Sequence, residues 1–300
     1  MTGAPKSIGI PFTVACVGIA SFTLMDALMK GLSLSIGAYN ATLWRTLAGT
    51  LLGGAIFLVR RHPCPAMSTM RLHLLRGGIV SVMAVLWFWA IARVPLAEAI
   101  ALSFIAPLIA IYLASFFLHE KVRPQALIGS VLGLAGVALM LITRATGRYD
   151  SEVLAGMGAV LASAVLYAGN LVLMRKQAQI ASPIEVGFFQ NLTTALFLLL
   201  AAPVFAVLPD SSHAPQIMGS AALALLSLML LSWAYARAEA QSLVVVEYTG
   251  FGWGALYGWL FFSEAIGWWV LAGTALIVFG CYIAIRPPRR PQEMTLEANL

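Results

Sequence analysis

Residues Trp89-Ala90-Ile91-Ala92-Arg93 return as Trp233-Ala234-Tyr235-Ala236-Arg237, 144 positions later and identical at four of five positions. At the same offset, without a gap, Phe117 meets Phe261, Glu120 meets Glu264, Leu127 meets Leu271, Gly129 meets Gly273 and Gly136 meets Gly280. The offset is close to half of the 300-residue chain. The chain therefore reads as a tandem duplication, and two copies of one folding unit must be accommodated.

Both copies are apolar. Hydrophobic residues make up 61% of the chain and charged residues 10%, against about 25% charged in an ordinary soluble domain. The apolar residues come in long blocks, and roughly 20 of them suffice for a helix to cross a bilayer. Ten blocks qualify, at about 8–28, 37–58, 73–92, 96–118, 125–143, 153–173, 184–206, 215–235, 241–262 and 267–285. In lipid the backbone must satisfy its own hydrogen bonds, so the blocks are expected to be helices. A closed barrel would show alternation with period two, which these blocks lack. The fold class expected is an all-α polytopic membrane protein of ten transmembrane helices, and the lipid bilayer is its first partner. Lys6 ahead of an apolar run resembles a signal peptide. No A-x-A-like cleavage site follows, so the run is read as a retained first span.

The formal net charge is +6. The basic residues sit in short connections and form no stripe interleaved with stacking aromatics, which argues against nucleic acid as a partner. With the N-terminus inside, the inner segments hold 13 Lys and Arg, Arg71 and Arg76 among them, and the outer loops hold four: Lys30, Arg93, Arg144 and Arg148. Arg45 falls within a span. The positive-inside rule then places both termini in the cytoplasm. Five spans per copy is an odd number, so the second copy enters from the opposite face and the repeats are inverted. Duplicated, inverted apolar halves are characteristic of secondary transporters, where substrate binds between the repeats and the halves exchange conformations. The longest internal polar connection, 144–152, separates a first repeat over 1–146 from a second over 147–286. Residues 287–300 are proline-rich and then polar, and are expected to form a disordered cytoplasmic tail.

Three sets of residues inside the blocks invite a functional reading. The first is charge: Asp26, Arg45 and Glu247 lie within spans, where a charge is costly and must face a partner or water. Asp26 stands four residues before Lys30, so a local helix pair explains it as well as function does. Arg45 has Asp26 as its alternative partner, and Glu247 is the candidate to meet a substrate amine or carry a coupling proton. The second set is aromatic and amide: Trp44, Trp87, Trp89, Tyr167, Trp233 and Tyr248, with Asn40, Asn170 and Gln190 as polar handles. Such rings can wall a cavity for apolar or aromatic solutes, although Trp and Tyr also gather at headgroup level. The third set concerns movement. Pro107 interrupts the fourth span, and its mate Phe251 is flanked by Gly250 and Gly252, giving paired soft points. Gly250, Gly254 and Gly258 repeat every four residues in the ninth span, as Gly129, Gly133 and Gly136 line one face of the fifth. Close static packing or a sliding surface accounts for either row.

Chemistry beyond binding finds no support. The histidines His62, His73, His119 and His213 read as isolated residues in loops, and Cys16, Cys64 and Cys281 make no metal-ligand spacing. No GxSxG, HExxH or phosphate-binding loop occurs. An enzyme, a metal and a cofactor are not expected.

The stretch from Ala97 to Gly136 carries an alanine-rich span start, Pro107, Phe116-Phe117-Leu118-His119-Glu120 and then Gly129, Gly133 and Gly136. Its counterpart runs from Gln241 through Phe261-Phe262-Ser263-Glu264 to Gly280, without the proline. In these residues the chain resembles the EamA-type members of the drug/metabolite transporter (DMT) superfamily, and within it bacterial YddG-type amino acid exporters. The resemblance implies a basket in which spans one to four and six to nine enclose a cavity while spans five and ten pack outside. It implies a monomer in the bacterial inner membrane that exports amino acids, aromatic ones among them, or related small metabolites by alternating access. A proton is the candidate coupling ion. Carriage of sugars, nucleotide sugars or sugar phosphates is the alternative, and a membrane enzyme or structural protein the remoter ones.

Overall fold

The computed structural model describes residues 9–106, 108–109, 112–113, 124–145, 151–178, 180–235, 246 and 249–285. Among them the helices in chain order are α1 (Gly9–Ile36), α2 (Ala38–Val59), α3 (Met67–Ile91), α4 (Leu96–Ser103), α5 (Pro124–Ala145), α6 (Ser151–Ala178), α7 (Pro183–Phe205), α8 (Ala214–Tyr235), α9 (Thr249–Phe262) and α10 (Trp268–Ile285). A 3-10 turn over Ser211–His213 precedes α8. No strand occurs among the described residues. Among the described residues six stretches are long and apolar enough to cross a membrane: Ile10–Ile36, Ala38–Val59, Met67–Ile91, Ser151–Asn170, Pro183–Phe205 and Ser211–Leu231.

Local chemistry sets the boundaries that matter later. Only Gly37, at φ 80°, separates α1 from α2, a conformation glycine adopts without the penalty a Cβ carries. α2 closes through Arg61 at φ 48°, whose N–H reaches Leu58 O while His62 N–H reaches Phe57 O. Ser182 caps α7 by accepting from Glu185 N–H at 3.2 Å, with Pro183 at the first helical position. This Ser-Pro-x-Glu start fixes Glu185 in the first turn. α4 gives way to a turn at Phe104 and Ile105, just ahead of position 107; Pro107 itself lies outside the described residues.

The pairing of helices repeats when the halves are exchanged. The offset of 144 carries α1 onto α6, α2 onto α7, α3 onto α8 and α5 onto α10. α1 packs on α8 as α3 packs on α6; α2 packs on α8 as α3 packs on α7; α2 packs on α7, and α5 on α10. Mates also run in opposite directions. The end of α1 (Lys30) meets the α3–α4 connection (Val94), and Arg93 beside it reaches the start of α6 at Glu152, 3.5 Å away. The start of α2 (Asn40) meets the segment after α7 (Val207). These contacts define a first end of the bundle. His73 early in α3, Gln177 late in α6 and Glu185 at the start of α7 define the second.

The buried apolar core runs through α1, α3, α4 and α6, with Met29, Leu32, Ile91, Leu96, Leu102 and Met157 almost wholly enclosed. Leu51, Leu58, Val82, Leu200, Val204 and Trp259 point outward, as suits a chain whose solvent is lipid. α5 and α10 meet in a close seam. A Cβ on Gly136 would lie 2.6 Å from Gly273 O, and one on its mate Gly280 would lie 2.5 Å from Gly129 O. Small residues admit backbone approach of this kind in lipid.

Two sequence readings change here. α3 starts at Met67, so His73 and Arg76 are not loop residues; both are inside the helix and buried. Polar residues at the foot of an apolar block lower the local hydropathy and make the span read shorter than the helix is.

Candidate functional site

The described polar groups of the interior fall into three tiers. At the first end, Lys30 is buried (4% exposed) and donates to a carboxylate oxygen of Glu264 and, at 2.9 Å, to Val94 O. The other Glu264 oxygen accepts the Leu96 N–H at 2.8 Å, at the N-terminus of α4, where partial positive charge favours an anion. The ammonium also lies 5.2 Å from the centre of the Phe262 ring. The carboxylate is put there by the end of α9: Ser263 turns left-handed at φ 53°, and Glu264 N–H returns to Gly258 O at 3.1 Å. Gly258 must be small, because a Cβ there would lie 2.5 Å from a Glu264 oxygen. The pair joins the first repeat (α1, α4) to the second (α9). It also corrects the local Asp26–Lys30 reading, since the Lys30 ammonium turns to a residue 234 positions away.

One turn deeper, Asp26 accepts from Trp87 Nε1 at 3.0 Å, with Arg45 as the neighbouring cation. The Arg45 guanidinium sits 5.8 Å from the Phe88 ring centre, and its Nε has no hydrogen-bond partner among the described residues. Three sequence candidates, Asp26, Arg45 and Trp87, are thus brought together by α1, α2 and α3.

At the second end, Arg76 (6% exposed) donates Nε–H to Asn170 Oδ1 at 2.8 Å and a terminal N–H to Gln177 Oε1. The Gln177 amide nitrogen meets His73 Nδ1, and His73 Nε2 meets Glu185 at 3.2 Å. Phe189 stacks on the imidazole with centroids 4.9 Å apart. α7 approaches closely because Gly77 leaves room: a Cβ there would lie 2.2 Å from Thr193 Oγ1. Along α3, Arg76 and Trp87 are 11 residues apart, about 16 Å at the helical rise.

The remaining candidates are scattered. Asn40 Oδ1 accepts from Val207 N–H at 2.9 Å and Trp44 Nε1 donates to Val207 O at 2.9 Å, so both hold the α7–α8 connection. Trp44 also lines a groove of about 280 Å³ with Leu47, Leu51, Asp210 and Met218. Beside that groove the Ser212 backbone and hydroxyl hold the exposed Asp210 carboxyl below the usual range. Trp89 carries the Arg93 guanidinium on its face at 3.8 Å, while its mate Trp233 is 37% exposed. Tyr167 on α6 is 36% exposed and lies near the Arg76 guanidinium, and Gln190 donates to Thr194 within α7. Gly250 faces Ile19 of α1 and Ile100 of α4, and Gly254 faces α4 at Ile100 and Ala97. Glu247 and Tyr248 lie outside the described residues. Among the described residues no group of three or more His, Cys, Asp or Glu is placed to hold a metal ion.

Sequence reasoning passes over Lys30, His73, Arg76, Gln177, Glu185 and Glu264 as interior groups, and Glu98, buried at 2% in the first turn of α4. All of them lie near or beyond the edges of apolar blocks, where charge is ordinary. One signal was available: His73 and Arg76 are three apart, and so on one helix face.

Comparison with known proteins agrees with this architecture. The family model described as EamA-like transporter family matches residues 9–142 and 154–286. A pseudopaline exporter of Pseudomonas aeruginosa is 30% identical, covering 89% of this chain and 93% of its own length. A riboflavin transporter of Brucella anthropi is 27% identical over 69% of this chain and 73% of its own. The aromatic amino acid exporter YddG of Ancylobacter novellus is 31% identical over 34% of this chain and 36% of its own. One solved crystal structure superposes with a TM-score of 0.59 at 22% identity, covering 94% of this chain and 97% of that one, which is a likeness of fold.

Proposed function

The chain belongs to the EamA-like transporter family, and on that premise we propose that it is a secondary transporter exporting amino acids or related small metabolites by alternating access. The observation that carries this reading is the Lys30–Glu264 pair. It is a largely buried charge pair that joins the first repeat to the second and seals the first end of the bundle. Opening that end requires parting two charges, and a state in which they part must repay their separation through a ligand or through closure of the other end.

In this proposal the repeats run over 1–146 and 147–286 with 287–300 as a tail, ten spans cross the bacterial inner membrane, and the second end faces the cytoplasm. Moving Arg76 out of the loops leaves the excess of Lys and Arg on that side. A zwitterion suits Asp26 and Arg45, which offer opposite charges beside the Trp87 indole. Export is favoured because two of the three relatives above carry that word in their names. The carrier works as a monomer, with no cofactor and with a proton as coupling ion.

A second reading gains from the structure. Carriage of anionic metabolites wants several interior cations, and Lys30 and Arg76 join Arg45 there. One experiment separates the two: counterflow into vesicles containing the purified protein, screened with amino acids, sugar phosphates and nucleotide sugars. Amino acid counterflow is expected. Counterflow of anionic sugars alone would transfer the site to the second reading, and none with any solute would remove the carrier.

A further inference from the structure

The second end contains a hydrogen-bond chain whose direction can be read from its donors. Arg76 can only donate. Its N–H groups therefore fix the Gln177 oxygen toward α3, which turns the Gln177 NH2 toward His73 Nδ1. That nitrogen must then be the bare acceptor of the ring, and the proton sits on Nε2, donated to Glu185. The tautomer is thus set by Arg76, through Gln177, from three positions away on the same helix. The line runs one way, from Arg76 through Gln177 and His73 to Glu185, and ties α3 to α6 and to α7.

From this geometry we infer that His73 Nδ1 is a proton-binding site, and that its protonation opens the second end of the bundle. The inference rests on the reading of the chain as an alternating-access carrier and supplies its coupling ion with a place. A proton arriving at Nδ1 meets the Gln177 NH2, donor against donor. Turning the amide over satisfies the imidazolium and presents the NH2 to Arg76, so the clash only moves. Either way one buried hydrogen bond between α3 and α6 is lost. Imidazolium and guanidinium then stand three residues apart on α3, and among the described side chains Glu185 offers its carboxylate to the imidazolium while Arg76 keeps only neutral partners. Among the described side chains, the charged and titratable groups around His73 are Arg76 on its own helix, Glu185 on α7 and, beyond Arg76, Tyr167 on α6. Phe189 covers the ring face and leaves water no share in the compensation. Parting the helices lets water accept from the imidazolium, so by linkage a proton drives parting. Histidine is the side chain whose charge changes most readily near neutral pH.

The test reads opening without a transported solute. Val186, buried in the first turn of α7, is replaced by cysteine, with Cys16 and Cys281 replaced by serine. The exposed Cys64 in the α2–α3 connection remains as an internal reference for the intrinsic pH dependence of the thiol. Maleimide labelling of Cys at 186 relative to Cys64 should rise at least about fivefold between about pH 8 and about pH 6, the scale set by one buried hydrogen bond lost. In His73→Gln the ratio should be flat. In Gln177→Glu it should also lose its pH dependence, because a carboxylate accepts from Arg76 and from an imidazolium together. A flat ratio in the parent protein, or an unchanged rise in His73→Gln, overturns the inference. If His73→Gln does not fold, an undiminished rise in Gln177→Glu overturns it alone. A flat ratio beside positive counterflow removes His73 and keeps the carrier; a pH-dependent ratio without any counterflow does the reverse.

Discussion

At the first end the repeats are joined by an ammonium and a carboxylate, Lys30 and Glu264. At the second, α3, α6 and α7 are joined by a line of hydrogen bonds from Arg76 to Glu185. The duplication would make these ends alike. The two ends occupy corresponding places in the repeat, and Glu264 has a glutamate, Glu120, as its mate, yet Lys30 corresponds to Met174, His73 to Ile217, Arg76 to Ser220, Gln177 to Ser33 and Glu185 to Ala41. Asp26 and Asn170 are mates too, the one beside Arg45 and the other bonded to Arg76. The duplicated scaffold has therefore kept its packing and given each end its own closure. In the carrier proposed above, this asymmetry would let one end answer to protons while the other answers to a ligand.

The comparison breaks most visibly at Lys30. Removing one partner of a buried pair leaves the other uncompensated, at about 3–5 kcal/mol. Lys30→Ala should lower the thermal midpoint in detergent by a larger step than any of the substitutions that follow, and Lys30→Met with Glu264→Gln should recover part of it. A single variant as stable as the parent would mean that the pair does not hold the first end. Gly258→Ala comes next, at about 1–3 kcal/mol, from forcing a methyl onto the carboxylate. Its cost should shrink when Glu264 is already alanine, a non-additivity that a double-mutant cycle measures. At the second end Arg76→Lys keeps the charge but loses the planar fork that reaches Asn170 and Gln177 together. It should cost about 1–2 kcal/mol and raise labelling at position 186 at all pH values. Asn40→Ala gives the smallest effect, about 1 kcal/mol for the bond to Val207 N–H, and should leave the labelling at position 186 unchanged.

Much of this fold was legible because lipid allows so few solutions. Long apolar blocks had to be helices, and the 144-residue offset linked the mates before any coordinate did. The glycine rows at 129–136 and 280 announced a close seam, which the contacts of Gly136 and Gly280 locate. The sites were less legible for a physical reason. A charge in mid-block is conspicuous, and Asp26 and Arg45 were found that way. A charge at the edge of a block looks like a solvated flank, and Arg76, Glu185 and Glu264 were hidden by that ambiguity. His73 looked solitary because its partners are 104 and 112 residues distant. Pairings between helices are set by rotation about each axis, which hydropathy does not encode. The Arg93 guanidinium on the face of half-buried Trp89 and the exposure of Trp233 likewise separate two residues that the repeat made identical.

The seam between α5 and α10 also bears on how such a molecule can diverge. Gly136 touches the carbonyl of Gly273, the partner copy of Gly129, and Gly280 touches that of Gly129 itself. Each copy is thus the other's mould at this point. A gene that has doubled normally frees one half to wander, but here enlarging any member of the quartet pushes on a residue inherited from the opposite half. Relatives should therefore change these four positions together or not at all, even where the two ends of the bundle have long since gone separate ways.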